Sequence, residues 1–595
     1  MDPRSPPRRH LLLAGAAAGA LPALASGRAP KTLRLAYNVA ETGFDPPQVS
    51  DQSSVQVNAH IFEPLLTYDY LARPARLQPL TATALPEVSA DFRRFVFTVR
   101  PGIFFADDPV FKGQPRELVA ADYAYSIRRF YDPRWKSEHL YQFENAKILG
   151  LSELRQQALK GQAGFDYDAP VDGLRVLDRY RLELRLADPA PRFTHVFASP
   201  LLAAAVAREV VDAYGDDLMA HPVGTGPFRL VQWRRGSLIV LERNPRFREE
   251  VFDASSAADQ PDCQAAAAHL AGQRLPLLDR VEISIVNEAQ PRWLAFAGGQ
   301  HDLLQLPPEF APIAVPGGRV APHLAKRGVR AQRTAEAVVA HTFFNCADPV
   351  VGGYTPEKVA LRRAISMAHD TARMVDGVLN GQAVVAQSMI PPHCYGHDTA
   401  YTTRSRGPAK ARAQALLDTY GYLDRDGDGW REAPDGSPLV LRKASPEDQR
   451  SRAFNDIWRA SMNAIGLRIE FEVHTFGDLI KRSLAGRLPM WGFAWTASEP
   501  DGDFFLGLAY GPNGDQSNDA RFRLPAFDAL YQRQRRLPDG PERLALIREA
   551  QRSMHAWAPY LPHYHPITTD LLAPAVRGYV RHPFRRDELR FVDMS

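Results

Sequence analysis

The chain has 595 residues, of which 72 are Lys or Arg and 68 are Asp or Glu, so its net charge is +4 with neutral histidines. This length exceeds the ~250–300 residues at which one hydrophobic core stops growing, and it predicts at least two lobes. The small net charge and the scattered basic residues argue against a nucleic-acid-binding protein. No segment after the N-terminus approaches about 18 uncharged apolar residues, so the sequence predicts a soluble mature protein.

Residues 1–25 have the three parts of an export signal. They contain a positive start that includes Arg8 and Arg9, an apolar run at 11–24, and a small-residue cleavage site at 23–25. The Arg8-Arg9 pair is similar to a twin-arginine signal, and a Sec signal stays open as the alternative. No cysteine lies at the cleavage point, so we expect a periplasmic protein without a lipid anchor.

Segments with strand and helix patterns alternate along the rest of the chain, which predicts α/β lobes with mixed sheets. The stretch 252–276, which holds Cys263, is rich in Ala, Asp and Gln and predicts a surface insertion. The predicted elements are a strand at 31–38, a helix at 55–66, a strand at 94–100, a helix from 118, strands at 228–233, 281–286 and 342–345, a helix at 359–374, a helix at 457–467, a strand at 468–473, and a helix from 528 to 559.

Residues 222–247 combine a tight turn, a strand and a second turn. Gly224 and Gly226 predict backbone freedom for a sharp bend, and Pro227 fixes φ and lacks a donor. A short strand follows and enters a hairpin with Gly236 at its tip. No Gly-Lys-Ser/Thr closes a phosphate-binding loop, and the segment leads into a strand, so phosphate binding is not predicted.

The 222–247 segment resembles the signature of family 5 extracellular solute-binding proteins, the peptide-type receptors of ABC importers. The order of the other blocks resembles the same family over about residues 32 to 592, including Phe62-Glu63-Pro64-Leu65-Leu66. The resemblance implies a two-lobed periplasmic-binding-protein fold of class II type, with mixed sheets, crossing hinge strands and an extra inserted domain. It places lobe I at 26–66, 222–325 and 567–595, the inserted domain at 67–221, and lobe II at 326–566.

Residues 491–506 resemble the family's ligand strand, in which a Trp precedes backbone groups that bind an extended peptide as an added β-strand. In many peptide receptors an Asp just after this Trp holds the α-ammonium group of the ligand. Here Ser498 stands at or near that place, and Gly492 stands where some receptors carry an Arg. The resemblance implies a ligand-binding set of Glu41, Thr42, Trp495, Thr496, Ala497, Ser498, His563 and Tyr564.

Other side chains near this strand have alternative interpretations. Glu499, Asp501 and Asp503 are candidate anions for the ligand, although acidic residues in a Pro/Gly turn are more often solvated. We expect Trp495 to reach the cleft between the lobes. Core packing is the favoured prediction for the neighbouring aromatic residues Trp491, Phe493, Phe504 and Phe505.

The acidic loop that begins at Asp424 is similar to a calcium-binding loop, with Asp424, Asp426 and Asp428 at positions 1, 3 and 5. Position 12 is Asp435, where the bidentate Glu of such loops would stand, so a structural calcium ion is a possibility and no resident cofactor is predicted. The histidines at 555, 563 and 565 lack the ligand spacing of a metal site. The three cysteines Cys263, Cys346 and Cys394 permit at most one disulfide, and the sequence does not determine the pairing.

These observations predict an exported, monomeric substrate-binding protein of an ABC importer, which captures peptides or peptide-like solutes and delivers them to a membrane permease. No catalytic residue is predicted, because the chain lacks the Gly-x-Ser-x-Gly and His-Glu-x-x-His motifs. The alternatives are an exported hydrolase or peptidase on the same scaffold, and a receptor for a haem, a metal chelate, a sugar or an antibiotic-like compound.

Overall fold

The computed structural model describes residues 29–161, 164–403, 407–514 and 516–595. The predicted export signal at 1–25 lies outside the described residues. The strands are β1 (Thr32–Tyr37), β2 (Leu66–Tyr68), β3 (Leu77–Pro79), β4 (Glu87–Val88), β5 (Arg94–Thr98), β6 (Leu174–Val176), β7 (Arg181–Arg185), β8 (Phe228–Arg234), β9 (Leu238–Arg243), β10 (Glu250–Val251), β11 (Arg274–Leu275), β12 (Arg280–Ile285), β13 (Leu303–Gln305), β14 (Arg330–Ala335), β15 (Val338–Phe344), β16 (Ala383–Val385), β17 (Val440–Pro446), β18 (Arg468–His474), β19 (Met490–Thr496), β20 (Tyr560–Leu572), β21 (Val576–Arg577) and β22 (Asp593–Met594).

The helices include several that end earlier than the sequence pattern predicts. They are α1 (Gln52–Ile61), α2 (Ala120–Tyr131), α3 (Leu140–Ala146), α4 (Leu151–Lys160), α5 (Arg208–Tyr214), α6 (Pro261–Leu270), α7 (Ala289–Ala297), α8 (Ala311–Ala314), α9 (Pro322–Ala325), α10 (Pro356–Ala368), α11 (Thr371–Arg373), α12 (Lys410–Thr419), α13 (Gln449–Asn463), α14 (Phe476–Leu484), α15 (Asp503–Gly507), α16 (Pro525–Arg536) and α17 (Pro541–Trp557). The single helix predicted from 528 to 559 is two helices, because Pro538, Asp539 and Gly540 separate α16 from α17.

A mixed ten-stranded sheet runs through the molecule, with the order β19-β15-β20-β13-β1-β12-β9-β8, and β14 and β16 also pair with β20. β1 is parallel to β12 and β13, whereas β20 is antiparallel to all four of its partners. The structure therefore confirms the predicted α/β architecture with a mixed sheet.

β20 connects the two halves of this sheet. Its first residues, Tyr560 to Tyr564, pair with β15, and residues 567–572 pair with β14. The chain between β14 and β15 passes between the same halves, since β15 begins only three residues after β14 ends. Two neighbouring strand segments thus cross from one half-sheet to the other. The predicted boundaries of the lobes and the inserted domain stay a prediction.

The segment predicted as an inserted domain contains its own small sheet. Its order is β4-β5-β7-β6 and all its pairs are antiparallel. α2 packs against this sheet through buried residues such as Tyr123 and Ile127. Burial of apolar side chains between helix and sheet stabilises this segment and joins it to the main core.

The signature glycines lie against the C-terminal end of α1. A Cβ atom on Gly224 would lie 2.0 Å from the carbonyl oxygen of Ile61, and one on Gly226 would lie 2.5 Å from that of His60. Gly226 also donates its backbone N–H to the Ile61 carbonyl at 2.8 Å. Neither glycine has a positive φ. The expected reason for these glycines, freedom for a sharp bend, is therefore wrong, and close approach of two backbones is the reason.

The stretch 252–276 is not the loose surface insertion that its composition predicts. It contains α6, whose Cys263 and Leu270 are fully buried. They pack in a cluster with Tyr70 and Phe591. An Ala-rich helix can pack closely because its side chains are small, and the composition alone did not separate this case from a loop.

The three cysteines Cys263, Cys346 and Cys394 are all buried and free, so none forms a disulfide in this structure. Within the described ranges, no helix combines the length and the apolar character that a bilayer crossing requires.

Candidate ligand-binding site

β19 is the terminal strand of the large sheet and pairs with β15 on one side only. The backbone N–H of Ala497, just after the strand, donates to Ala337 at 2.8 Å. In an antiparallel ladder the direction of these bonds alternates, so the backbone groups of Thr496 and Ala494 point away from β15. The side chains of Thr496 and Ala494 are exposed. In the part of the chain that the structure describes, no strand forms a hydrogen-bonded ladder with this outer edge, although β17 packs close to β19.

Aromatic side chains form a row along β19. The ring centroids of Trp491 and Phe493 are 4.8 Å apart, those of Phe493 and Trp495 are 5.3 Å apart, and those of Trp495 and Phe504 are 5.3 Å apart. Trp491 and Phe505 are fully buried, as the core interpretation predicts. Phe504 does not follow that interpretation, because its side chain is 36% exposed. The row therefore runs from the core to the surface beside the free edge.

Asp501, in the loop after β19, is buried and ion-paired. Arg543 donates to both of its carboxylate oxygens at 2.6 Å, and the backbone N–H of Asp503 donates to one of them at 2.7 Å. Arg543 is itself fully buried. Asp503 accepts a hydrogen bond from Gln534 and is half-buried. The expectation that these acidic side chains are solvated is therefore wrong, because Arg543 supplies the opposite charge that burial of a carboxylate requires.

Glu499, in the same loop, is also half-buried. Burial raises the pKa of this carboxyl group to about 8, and the negative charge of Asp501 adds to the effect, while Arg192 and Arg543 oppose it. Among the described residues, no side chain or backbone group makes a hydrogen bond or ion pair with its carboxylate. Ser498, the residue before it, is exposed. The loop thus presents one carboxyl group without a partner next to the free edge of β19.

Tyr68 lies close enough to this loop for the charge of Glu499 to affect it. Its hydroxyl lies 3.0 Å from Nδ1 of His195, and its ring stacks on His582 with centroids 5.9 Å apart. Burial raises the pKa of Tyr68 well above its ordinary value, and the nearby charge of Glu499 raises it further. Burial also lowers the pKa of His195 to about 4. These two side chains come from the segment predicted as an inserted domain, and the sequence analysis did not select them.

The predicted contacts of the first lobe, Glu41 and Thr42, are engaged locally. Glu41 is buried and accepts hydrogen bonds from Trp233 Nε1 at 2.6 Å and from the backbone of Gly236 at 2.7 Å. The exposed Thr42 donates its hydroxyl to Asp51 at 2.6 Å. Asp51 also accepts from the backbone N–H of Ser54 at 2.8 Å and so caps α1. Glu41 therefore stabilises the β8–β9 hairpin, and Thr42 stabilises the start of α1.

His563 and Tyr564 lie on β20. His563 is buried, with its Nε2 at 2.9 Å from the hydroxyl of Thr342 and its ring 4.7 Å from that of His369. Tyr564 is half-buried and its ring is 6.4 Å from that of Phe454. The partners Thr342, His369 and Phe454 all belong to the predicted second lobe. These contacts do not reach the loop that holds Glu499.

The acidic loop at 424–432 brings four carboxylates together. Ligand oxygens of Asp424, Asp426, Asp428 and Glu432 all lie within 4.8 Å of one another. Asp424 also accepts hydrogen bonds from the backbone of Gly427 at 2.8 Å and of Gly429 at 3.0 Å. The first three carboxylates are exposed, and such groups also gather without an ion. Calcium binding here stays a prediction.

The sequence of this chain is similar to those of a known family of proteins. The family model of bacterial extracellular solute-binding proteins, family 5 middle, matches residues 76–517. The chain is 27% identical to di/tripeptide-binding protein 2 of Pseudomonas aeruginosa, over 98% of each chain. It is 25% identical to heme-binding protein A of Haemophilus influenzae, over 92% of this chain and 89% of that protein.

A solved structure confirms the fold. The periplasmic binding protein DppA from Helicobacter pylori, in complex with peptide STSA, superposes with a TM-score of 0.66 and 20% identity, over 95% of this chain and 98% of that one. This likeness confirms the predicted two-lobed solute-binding fold. Together with the family match over most of the sequence, it establishes that the chain belongs to the family 5 bacterial extracellular solute-binding proteins.

Proposed function

We propose that this protein is the periplasmic receptor of an ABC importer, that it encloses a short peptide or peptide-like solute between its two lobes, and that it delivers the solute to a membrane permease. Residues 1–25 would direct its export. Binding of this kind needs no covalent step, so the proposal assigns no catalytic residue. The observation that carries it is the free edge of β19 beside the unpartnered carboxyl group of Glu499.

The edge of β19 suits an extended backbone. The outward N–H and C=O groups of Ala494 and Thr496 can pair with a peptide as with an added strand. Such pairing is independent of ligand side chains, which supports a receptor that accepts several sequences. The exposed ring of Phe504 and the half-buried ring of Trp495 offer apolar surface beside this edge.

Glu499 would hold the α-ammonium group of the ligand. A hydroxyl group such as that of Ser498 cannot neutralise a cation, whereas a carboxylate can, and a charge-assisted hydrogen bond is roughly twice as strong as a neutral one. An approaching ammonium group would favour the ionised form of Glu499 and so lower its pKa from about 8. The neighbouring Asp501 is already paired with Arg543 and is not available for this role.

The names of related proteins support a peptide ligand. One relative is a di/tripeptide-binding protein, and one structural neighbour contains the peptide STSA. Another relative is named a heme-binding protein, so a non-peptide ligand is the outcome against which the proposal is tested.

The first experiment identifies what the protein carries. Residues 26–595 are purified without denaturation and weighed by native mass spectrometry, and the material released on denaturation is then identified. A mixed set of short peptides is the expected result. A single non-peptide compound would contradict the peptide proposal, and hydrolysed fragments that accumulate with time would indicate an enzyme.

A second experiment tests the role of Glu499 by calorimetric titration. Trialanine and N-acetyl-trialanine differ only at the ammonium group. We expect acetylation to weaken binding to the parent protein by about tenfold or more, as for loss of a buried charge-assisted contact. The same acetylation should matter little in Glu499→Gln. An equal loss in both proteins would show that another group recognises the N-terminus.

A further inference from the structure

Arg192 reaches across from the predicted inserted domain to the predicted second lobe. Its Nη2 donates to the carbonyl oxygen of Arg535 at 2.8 Å, and its Nη1 donates to that of Leu537 at 3.2 Å. These partners are 343 and 345 residues away along the chain. The side chain of Arg192 is only 12% exposed. The contact therefore joins two separate parts of the fold through a largely buried guanidinium group.

One acceptor, Arg535, lies in the last turn of α16, and the other, Leu537, is the residue that follows the helix end at Arg536. The last four carbonyl groups of a helix have no partner within the helix, and this end carries the negative pole of the helix dipole. A guanidinium group has its donors in a planar fork that can reach two such carbonyls at once. If these two segments separated, both carbonyl groups would lose the guanidinium donors and would have only water as a partner.

The same guanidinium group faces the candidate ligand loop. Its Nε lies 3.9 Å from a carboxylate oxygen of Asp501, and the same oxygen accepts a hydrogen bond from Arg543 at 2.6 Å. Asp501 is two residues from Glu499. The backbone N–H of Asp501 also donates to the carbonyl oxygen of Glu499 at 2.8 Å. The contact between lobes and the position of Glu499 thus depend on one shared set of charges.

We propose that Arg192 is a positioning residue that holds the closed arrangement of the lobes and orients the 499–501 loop, so that it sets the residence time of the ligand. This inference rests on the proposed function, in which the lobes close around a solute. Because the Arg192 contacts exist only when the lobes touch, their loss acts on opening and leaves the encounter with the ligand unchanged.

The test compares Arg192→Ala and Arg192→Lys with a matched control, Arg208→Ala. Arg208 belongs to the same segment and is 45% exposed, with its ion pair to Asp168 at 2.7 Å inside that segment. Small-angle X-ray scattering of the ligand-free proteins measures the radius of gyration. We expect a larger radius for R192A than for the parent, an intermediate one for R192K, and the parent value for R208A. Equal radii for the parent and both Arg192 variants overturn the proposal.

Stopped-flow measurements with trialanine give the second readout. We expect R192A to raise the dissociation rate by about tenfold, which corresponds to about 1.4 kcal/mol, with an association rate within about twofold of the parent. A slower association at an unchanged dissociation rate would contradict the inference. If trialanine fails to bind the parent, the peptide proposal fails, and the scattering comparison still decides the role of Arg192.

Discussion

Arg543 and Asp501 form a bidentate ion pair, with both hydrogen bonds at 2.6 Å and both side chains at most 3% exposed. The pair holds α17 against the loop that follows β19. A buried pair of this kind contributes little net stability over an apolar pair, but removal of one partner leaves an unpaired buried charge.

We therefore expect Arg543→Met to lower the free energy of unfolding by about 3–5 kcal/mol. The double variant Arg543→Met with Asp501→Asn should recover part of this loss, because the buried carboxylate is removed as well, and Asp539, the other ion-pair partner of Arg543, is 54% exposed. Denaturant unfolding measures both. The control is Arg459→Ala, which breaks an ion pair to Asp456 that is 51% and 76% exposed, and it should cost no more than about 1 kcal/mol. Equal losses for both arginines would contradict the role of burial.

Glu499 predicts a pH-dependent stability. Its pKa in the folded protein is about 8, raised from an ordinary value of 4.5 by burial and by Asp501. Between these two values the folded state keeps a proton that the unfolded chain has lost. The free energy of unfolding contributed by this group is therefore largest below pH 4.5 and falls as pH rises towards 8.

The variant Glu499→Gln has no titratable group at this position. We expect its melting temperature, relative to that of the parent, to rise by about 2–4 °C or more between pH 5 and pH 8.5. Scanning calorimetry at the two pH values measures the difference. Asp456→Asn, whose side chain is 76% exposed, serves as the control and should show no such trend. A difference for E499Q that stays constant with pH would show that the group does not titrate in this range.

The edge of β19 predicts a separation of backbone and side-chain effects. Thr496→Pro removes an outward N–H that the ladder with β15 does not use, so we expect the affinity for trialanine to fall by about tenfold or more. Thr496→Val keeps the N–H and should bind within about threefold of the parent. Calorimetric titration checks both variants. Similar losses of affinity in Thr496→Pro and Thr496→Val would mean that the side chain, and not the backbone, contacts the ligand.

The close approach at Gly224 predicts a large effect of one methyl group. In Gly224→Ala the Cβ atom would lie 2.0 Å from the Ile61 carbonyl oxygen, so the backbones must separate, and we expect a loss of about 3 kcal/mol or more. Gly477→Ala is the control, because Gly477 lies in α14 with nothing within 4 Å of an added Cβ. That variant should gain about 0.4–1 kcal/mol in unfolding measurements. A neutral G224A would show that the turn can relax.

The local elements of this fold could be predicted because their signals are local. The alternation at 31–38 predicted β1, and the pattern at 468–473 predicted β18. The resemblance to a known family supplied the two-lobed arrangement, which periodicity could not. The helix α6 was missed because a run of Ala is compatible with a loop or a tightly packed helix.

The site was harder to predict, because its contacts join distant parts of the chain. The pairing of Asp501 with Arg543 spans 42 residues, and Arg192 meets its acceptors across more than 340. No local pattern indicates such partners. One signal was available. Three acidic residues at 499–503 stand directly before the apolar run Phe504-Phe505-Leu506, and they need partners if they are buried. That argument would have led to a search for buried arginines.

The position of β20 has a consequence for how the large sheet is completed. β20 pairs with β13 and β14 of one half-sheet and with β15 and β16 of the other, although all four of these strands precede it in the chain. Both half-sheets therefore need this one strand before their hydrogen-bond ladders are complete, and its pairing with β13 closes a long stretch of chain, which is slower than pairing between sequence neighbours. A substitution that prevents β20 from pairing would thus disturb both half-sheets at once.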